Sequence, residues 1–142
     1  MIKVLVNEDE VLSAFPIINQ LRPHLTIDTY KKRVQEAKEA HQYELAGVFN
    51  EEGEVVAAAG YMPKLTLYDG HSVWVCDLVV SEKERSKGHG ERLLRFVEER
   101  SKKWGCVNMT LSSGLQRHDA HRFYEEKAGF DRKSYTFKRE FT

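Results

Sequence analysis

The sequence predicts an α/β (α+β) fold, with a mixed, largely antiparallel central sheet flanked by helices in the element order βααβββαβαβ. Two hairpin patterns favour it, because apolar runs meet at the turn-forming pairs Glu52-Gly53 and Asp69-Gly70. Segments with helical spacing of apolar residues precede and follow these runs. The 142 residues contain no linker, repeat or low-complexity tract. We therefore expect one domain spanning residues 1–142.

The N-terminal third predicts a short strand and two helices. The run "IKVLV" is typical of a strand. Asn7 and Glu10 have the spacing of a capping box at a helix start, and Pro16 is expected to kink or restart that helix. Thr26 is a candidate N-cap for a second helix, whose apolar stripe includes Tyr30 and Val34. A helical pair thus precedes the main part of the sheet.

The remaining elements follow in order along the chain. The segments "YELAGVFNEEGEVVAAAGYM" and "LTLYDGHSVWVCDLVV" predict three successive antiparallel strands. The segment "ERLLRFVEERSKKWG" predicts a long amphipathic helix that stops at Gly105. A strand in "VNMTLSS", a helix in "RHDAHRFYEEKAG" and a last strand in "SYTFKREF" complete the order.

Composition excludes several function classes. Lys and Arg together number 22 and so do Asp and Glu, so there is no basic excess for nucleic acid binding. No run approaches eighteen apolar residues and the start lacks a signal-peptide pattern, so we expect no membrane association and a cytoplasmic protein. Cys76 and Cys106 are interpreted as buried free thiols. No metal site is predicted.

Gly88 and Gly90 lie where a strand passes into a helix. A glycine loop at a helix N-terminus allows a phosphate to approach unpaired N–H groups and the positive end of the helix dipole. The alternative is that the glycines only form a tight turn. Two familiar phosphate loops do not match: Glu91-Arg92 replaces the Lys-Ser/Thr of a P-loop, and Leu93 replaces the third glycine of a dinucleotide fingerprint.

The stretch Arg85-Ser86-Lys87-Gly88-His89-Gly90 reads as Gln/Arg-x-x-Gly-x-Gly/Ala and resembles the acyl-CoA pyrophosphate loop of the GNAT superfamily of N-acetyltransferases. A second hallmark of that family, a helix with Ala-x-x-Phe/Leu-Tyr followed by Gly-Phe, is similar to "AHRFYEEKAGF" from Ala120 to Phe130. The element order also resembles the GNAT fold over nearly the whole chain. The resemblance implies acetyl-CoA as co-substrate, with its pyrophosphate held at Arg85, Ser86, Lys87, Gly88, His89, Gly90 and Glu91.

The resemblance also implies a role for the strand before the loop. In the family this strand splays from its neighbour and pairs its free backbone with the pantetheine arm, which maps onto Leu78, Val79 and Val80. A backbone N–H, expected to be that of Leu78, would polarise the thioester carbonyl. The reaction implied is direct attack of an amine on the thioester in a ternary complex, through a tetrahedral intermediate, without a covalent enzyme intermediate.

The candidate catalytic residues are Tyr124, which the resemblance implies, and Asp77, which the strand pattern indicates. Tyr124 corresponds to the tyrosine that often protonates the leaving thiolate, and a tyrosine is protonated at neutral pH. Asp77 interrupts an apolar strand and is a candidate general base or amine binder. The base assignment stays open among Asp77, His118, Asp119, His121 and water. The pair His118-x-x-His121 lacks a third ligand in pattern, so no metal is predicted there.

The acceptor remains undetermined at this level. A frequent family Asn, three residues before the helix Ala, is replaced by Arg117, which puts its polar contact in doubt. The acceptor site is expected near residues 21–29 and 61–68, and a primary amine of a metabolite, an antibiotic or a protein is compatible with both. The alternative function is a non-catalytic acyl-CoA-binding module of the same fold. Exposed strand edges leave a homodimer open.

Overall fold

The computed structural model describes residues 1–141. Two compact units are present, Met1–Thr110 and a second unit from Leu111 onward. The single-domain interpretation stays a prediction. The first unit contains most of a five-stranded sheet in the order β1-β2-β3-β4-β5. The strands are β1 (Ile2–Val4), β2 (Glu44–Phe49), β3 (Val55–Thr66), β4 (Gly70–Val80) and β5 (Asn108–Leu111).

Three helices lie between β1 and β2, and each starts where the sequence places a helix signal. In the first, the Asn7 side chain accepts from the Glu10 N–H while Glu10 reaches back to the Asn7 N–H, so the predicted capping box is confirmed. Pro16 occupies the first turn of the second helix, the restart that was expected. Thr26 caps the third. The three helices are α1 (Glu8–Ser13), α2 (Phe15–Leu21) and α3 (Ile27–His41).

The sheet is antiparallel from β1 to β4, and β2, β3 and β4 are the three successive antiparallel strands that the sequence predicts. Different helices pack on its two faces. The α1–α3 layer packs on one face through a core that includes Leu5, Tyr30, Tyr43 and Val79. The long helix α4 (His89–Lys103) contacts β2, β3 and β4 with a stripe of buried apolar side chains. Arg100 of α4 pairs with Glu44 of β2, which also accepts from the Tyr61 hydroxyl over 3.0 Å.

Helix α4 carries the chain from the end of β4 back to β5. The β5 end of this crossover lies beside the start of β4, since the Val107 N–H donates to the His71 carbonyl over 2.9 Å. Strands β4 and β5 therefore run in the same direction, as a helical crossover requires. Strand β5 has four residues and β4 has eleven. The C-terminal half of β4 consequently extends past β5.

The second unit contains helix α5 (His118–Arg122), which continues as a π-helical turn over Phe123–Lys127. The predicted final strand in "SYTFKREF" is wrong in the described chain, since residues 131–141 have no regular secondary structure. Its apolar alternation is present, but Tyr135, Phe137 and Phe141 are 74%, 93% and 95% exposed. A strand requires a paired neighbour and a covered face, and alternation alone supplies neither.

Candidate active site

The glycine loop leads directly into α4 and takes a backbone shape that few residues adopt. Gly88 is the N-cap of α4 with φ of 82°, and Ser86 also has a positive φ of 66°. A Cβ at position 88 would lie at ordinary contact distance, 3.6 Å from the Arg92 guanidinium. Backbone conformation, and not crowding within the protein, therefore explains the glycine at position 88.

The first turn of α4 presents unpaired N–H groups. The first hydrogen bond of the helix runs from the Arg92 N–H to the Gly88 carbonyl over 3.1 Å. The N–H groups of His89, Gly90 and Glu91 precede it and have no acceptor within the helix. The helix is 15 residues long, so its dipole adds positive potential at this end. The predicted cofactor residues His89, Gly90 and Glu91 thus form a local anion-binding geometry.

The loop side chains are held by one carboxylate that sequence reasoning missed. Glu84 accepts from Lys87 Nζ over 2.6 Å and lies 3.4 Å from His89 Nε2. The hydrogen bond from Lys87 lowers the pKa of Glu84, and His89 acts in the same direction. Arg92 contacts the His89 ring and donates to the Lys87 carbonyl over 3.2 Å. No spacing rule singles out Glu84, because its role depends on how the loop folds back.

The register of β4 shows which of its backbone groups face away from β3. The Ser81 N–H donates to the Val56 carbonyl over 2.8 Å, and Val80 and Leu78 lie opposite Ala57 and Ala59. Hydrogen-bonded and non-hydrogen-bonded pairs alternate along an antiparallel ladder. The N–H and C=O groups of Leu78 and Val80 therefore point away from β3, along the stretch of β4 that extends past β5.

The predicted residue Val79 differs from its two neighbours. The same alternation directs its N–H and C=O toward β3, opposite Ala58. Its side chain is buried in the core beneath the α1–α3 layer. Among the three predicted strand residues, only Leu78 and Val80 thus have outward backbone groups. The side chain of Val79 supports the strand from within the core.

Asp77 lies at an irregularity of the same strand. The register shifts between Gly60 and Tyr61, which leaves Cys76 as the extra residue of a β-bulge beside Asp77. Asp77 Oδ1 accepts from Arg22 Nε over 3.2 Å, and Oδ2 accepts from the Tyr43 hydroxyl over 2.9 Å. Burial, followed by the negative charge of Asp77, raises the pKa of Tyr43 well above its ordinary value. Tyr43 is therefore a permanent hydrogen-bond donor.

Burial also governs the two cysteines. Cys76 and Cys106 are free thiols of intermediate exposure. Burial, and next the Asp77 charge, raises the pKa of Cys76 to about 12. Burial raises the pKa of Cys106 as well. Neither thiol is ionised at neutral pH, which argues against a nucleophilic role for either.

In the second unit, Tyr124 is buried within an aromatic group. Its ring lies 5.5 Å from that of Phe123 and 5.7 Å from that of Phe130, both edge-on. The Phe130 N–H donates to the Tyr124 carbonyl over 2.9 Å. On the preceding helix, His121 Nε2 lies 2.8 Å from the Gly114 carbonyl oxygen. This contact engages one nitrogen of a candidate proton relay, while His118 and Asp119 are exposed.

Residues 1–141 contain no group of three or more His, Cys, Asp or Glu side chains arranged to hold a metal ion. The longest helices of this stretch, α3 and α4, have 15 residues each. Within the described part of the chain, no helix has the length and hydropathy that a membrane span needs.

Comparison with known proteins adds a family match. The model of the acetyltransferase (GNAT) family matches residues 10–130. The chain is 37% identical to the uncharacterized N-acetyltransferase YhdJ of Bacillus subtilis over 137 residues, 96% of each chain. It is 35% identical to an aminoalkylphosphonate N-acetyltransferase of Salmonella typhimurium over 75 residues, 51% of this chain and 47% of that protein.

The solved structures agree on the fold. An aminoglycoside N-acetyltransferase, AAC(6')-Iy, solved in complex with CoA, superposes with a TM-score of 0.85 at 16% identity. The match covers 99% of this chain and 95% of that one. At this identity the likeness supports the mixed sheet flanked by helices.

Proposed function

Because the chain belongs to the GNAT acetyltransferase family, we propose that it is an N-acetyltransferase that uses acetyl-CoA to acetylate a primary amine of a small molecule or peptide. The observation that carries this proposal is the pair of backbone surfaces in the first unit. One is the open edge at Leu78 and Val80, and the other is the N-terminal turn of α4. The β4 strand leads through one short loop into that turn, as the resemblance requires.

The residues present fit acetyl-CoA. An anionic pyrophosphate matches the unpaired N–H groups from His89 to Glu91, and Gly88 leaves the approach to them free of a side chain. A pantetheine arm carries amide groups that match the outward N–H and C=O groups of Leu78 and Val80. When bound, acetyl-CoA supplies an activated acetyl thioester. Arg85 is exposed and adds positive charge beside the loop, whereas the charge of Lys87 is paired with Glu84.

Three groups of the chain are assigned roles in the transfer. The Leu78 N–H donates a hydrogen bond to the thioester carbonyl oxygen and stabilises the charge that develops there. Asp77 binds the acceptor amine or accepts its proton, with water as the alternative acceptor. The Tyr124 hydroxyl donates a proton to the departing sulfur. The Oδ2 atom of Asp77 accepts from the buried Tyr43 hydroxyl, which fixes the orientation of this group.

Calorimetric titration with acetyl-CoA tests the binding half of the proposal. Gly88→Asp places a carboxylate in the proposed pyrophosphate site, and Gly53→Asp is its matched control. Gly53 has nearly the same positive φ, 79°, in the β2–β3 hairpin, and a Cβ there meets nothing within 4 Å. Both substitutions therefore place a side chain at a positive φ of similar size.

We expect Gly88→Asp to weaken acetyl-CoA binding by about 100-fold, ~3 kcal/mol, and Gly53→Asp to change it less than about twofold. Equal affinities in the two variants, or no binding by the native chain, would contradict the proposal. Release of the CoA thiol is then followed with an aminoalkylphosphonate, an aminoglycoside and a lysine-containing peptide as acceptors. Binding of acetyl-CoA without turnover of any amine would favour the non-catalytic module.

A further inference from the structure

The two oxygens of the Asp77 carboxylate have partners of different kinds. Oδ2 accepts from Tyr43, whose side chain is buried beneath the helical layer. Oδ1 accepts from Arg22, whose side chain is 40% exposed, while that of Asp77 is 18% exposed. The Tyr43 side of the carboxylate is therefore fixed within the core. The Arg22 side is the one that solvent reaches.

The Arg22 guanidinium also contacts a second acceptor on β4. Its Nη2 donates to the Cys76 carbonyl over 3.0 Å, at the bulge that precedes Asp77. A carboxylate oxygen and a carbonyl oxygen thus converge on one cation. An alkylammonium group has three N–H donors and satisfies the same pair of acceptors. The position is suited to a primary amine in its charged form.

The loop that carries Arg22 does not depend on this side chain for its shape. Asn19 Nδ2 donates to the carbonyls of Arg22 and Leu25, over 3.1 Å each. The Leu25 N–H donates to the Arg22 carbonyl over 3.1 Å as well. These bonds close the α2–α3 loop through the backbone. The guanidinium is therefore free to leave Asp77 while the loop keeps its fold.

We propose that Arg22 occupies the cation position that the ammonium group of the acceptor takes on Asp77, and that the acceptor displaces it on binding. This inference rests on the proposed function and names its substrate class, a positively charged primary amine. A partly buried carboxylate needs a compensating cation, and exchange of one cation for another preserves that compensation. The exchange delivers the amine one residue along β4 from the Leu78 N–H.

Steady-state kinetics separates displacement of Arg22 by the amine from a role in which Arg22 only anchors Asp77. The two roles predict opposite changes in the KM for the amine when Arg22 is replaced. If Arg22 competes with the amine, Arg22→Gln lowers the KM for the amine about fivefold, while the KM for acetyl-CoA stays within about twofold. Arg22→Lys keeps a weaker competing cation, so its KM for the amine is expected to lie between those of the native protein and Arg22→Gln. Arg33→Gln removes an exposed positive charge from α3 and serves as the matched control. An unchanged or raised KM in Arg22→Gln overturns the proposal.

A second readout requires neither turnover nor a variant. Titration of the native protein with n-butylammonium, followed by NMR, is expected to shift the Asp77 carboxyl carbon and the Arg22 Nε–H resonance together, with one binding constant. A shift of Asp77 without Arg22, or of neither, overturns the exchange. Calorimetry with acetyl-CoA reports the proposed function independently, so failure of acetyl-CoA binding and failure of the exchange are distinguishable.

Discussion

The hydroxyl of Tyr43 and the carboxylate of Asp77 meet across the backbone of Gly60. Tyr43 Oη donates to Asp77 Oδ2 over 2.9 Å. A Cβ built on Gly60 would lie 1.8 Å from that hydroxyl oxygen and 2.8 Å from Oδ2. Gly60 has no positive φ, so its lack of a side chain matters here for space alone. The hydrogen bond between Tyr43 and Asp77 therefore depends on a glycine at position 60.

Gly60→Ala is expected to displace the Tyr43 ring and break this hydrogen bond. The cost combines overpacking with a lost buried hydrogen bond, about 2–3 kcal/mol in the free energy of unfolding. Urea denaturation measures it. Gly47→Ala on the neighbouring strand β2 is the control, because its Cβ would lie 3.3 Å from Val55, and we expect a loss under about 1 kcal/mol. Similar losses in the two variants would refute the link between Gly60 and Tyr43.

Glu10 makes the free energy of unfolding depend on pH in the acidic range. Hydrogen bonds from Lys3, and then from the backbone N–H groups of Val6 and Asn7, lower the pKa of Glu10 from 4.5 to about 2. Because the folded pKa is the lower one, the contribution of Glu10 is complete above pH 4.5 and is lost as the pH falls toward 2. The stability difference between native protein and Glu10→Gln should shrink across this interval. Unfolding curves at several pH values measure it.

The control for this titration is Asp9→Asn, which removes a neighbouring carboxylate from the same first helical turn. A decline shared by both variants would not be specific to Glu10. If the difference for Glu10→Gln stays constant from pH 5 to pH 2, the carboxylate of Glu10 is not the group that titrates.

Tyr124→Phe tests the proposed proton donor. Loss of the hydroxyl is expected to lower kcat about 100-fold and leave the dissociation constant of acetyl-CoA within about twofold, since only the departing thiolate uses the proton. Phe123→Leu alters the adjacent ring and keeps the hydroxyl, so it should retain most of kcat. Thiol release and calorimetry give the two quantities. Unchanged kcat in Tyr124→Phe would remove this residue from the mechanism.

Local signals predicted much of the fold. The capping box at Asn7 and the N-cap at Thr26 depend on neighbours within three residues, so sequence spacing is sufficient to locate them. The turn at Gly53 is equally local. The last strand was predicted by the same kind of reasoning and is wrong in the described chain, because a strand depends on a partner that its own residues do not specify.

In the candidate site, too, local motifs were predictable and long-range contacts were not. The glycine loop and the Tyr124 helix carry contiguous motifs, so the sequence is sufficient to mark both as candidates. Sequence analysis did not identify the partners of Asp77. Arg22 and Tyr43 are 55 and 34 residues away along the chain, and they contact Asp77 only because the helical layer packs on β4. The cytoplasmic location, the homodimer and the roles of the site residues stay predictions.

The raised pKa of Cys76 also determines which assays suit the protein. Because burial, and next the Asp77 charge, raises the pKa of Cys76 to about 12, this thiol stays protonated at pH 8. Burial also raises the pKa of the Cys106 thiol. Disulfide reagents that develop colour with free thiols react with the thiolate form, so the native protein should contribute little background. Colour in such an assay would then count coenzyme A molecules released, and turnover could be followed continuously without radioactive acetyl groups.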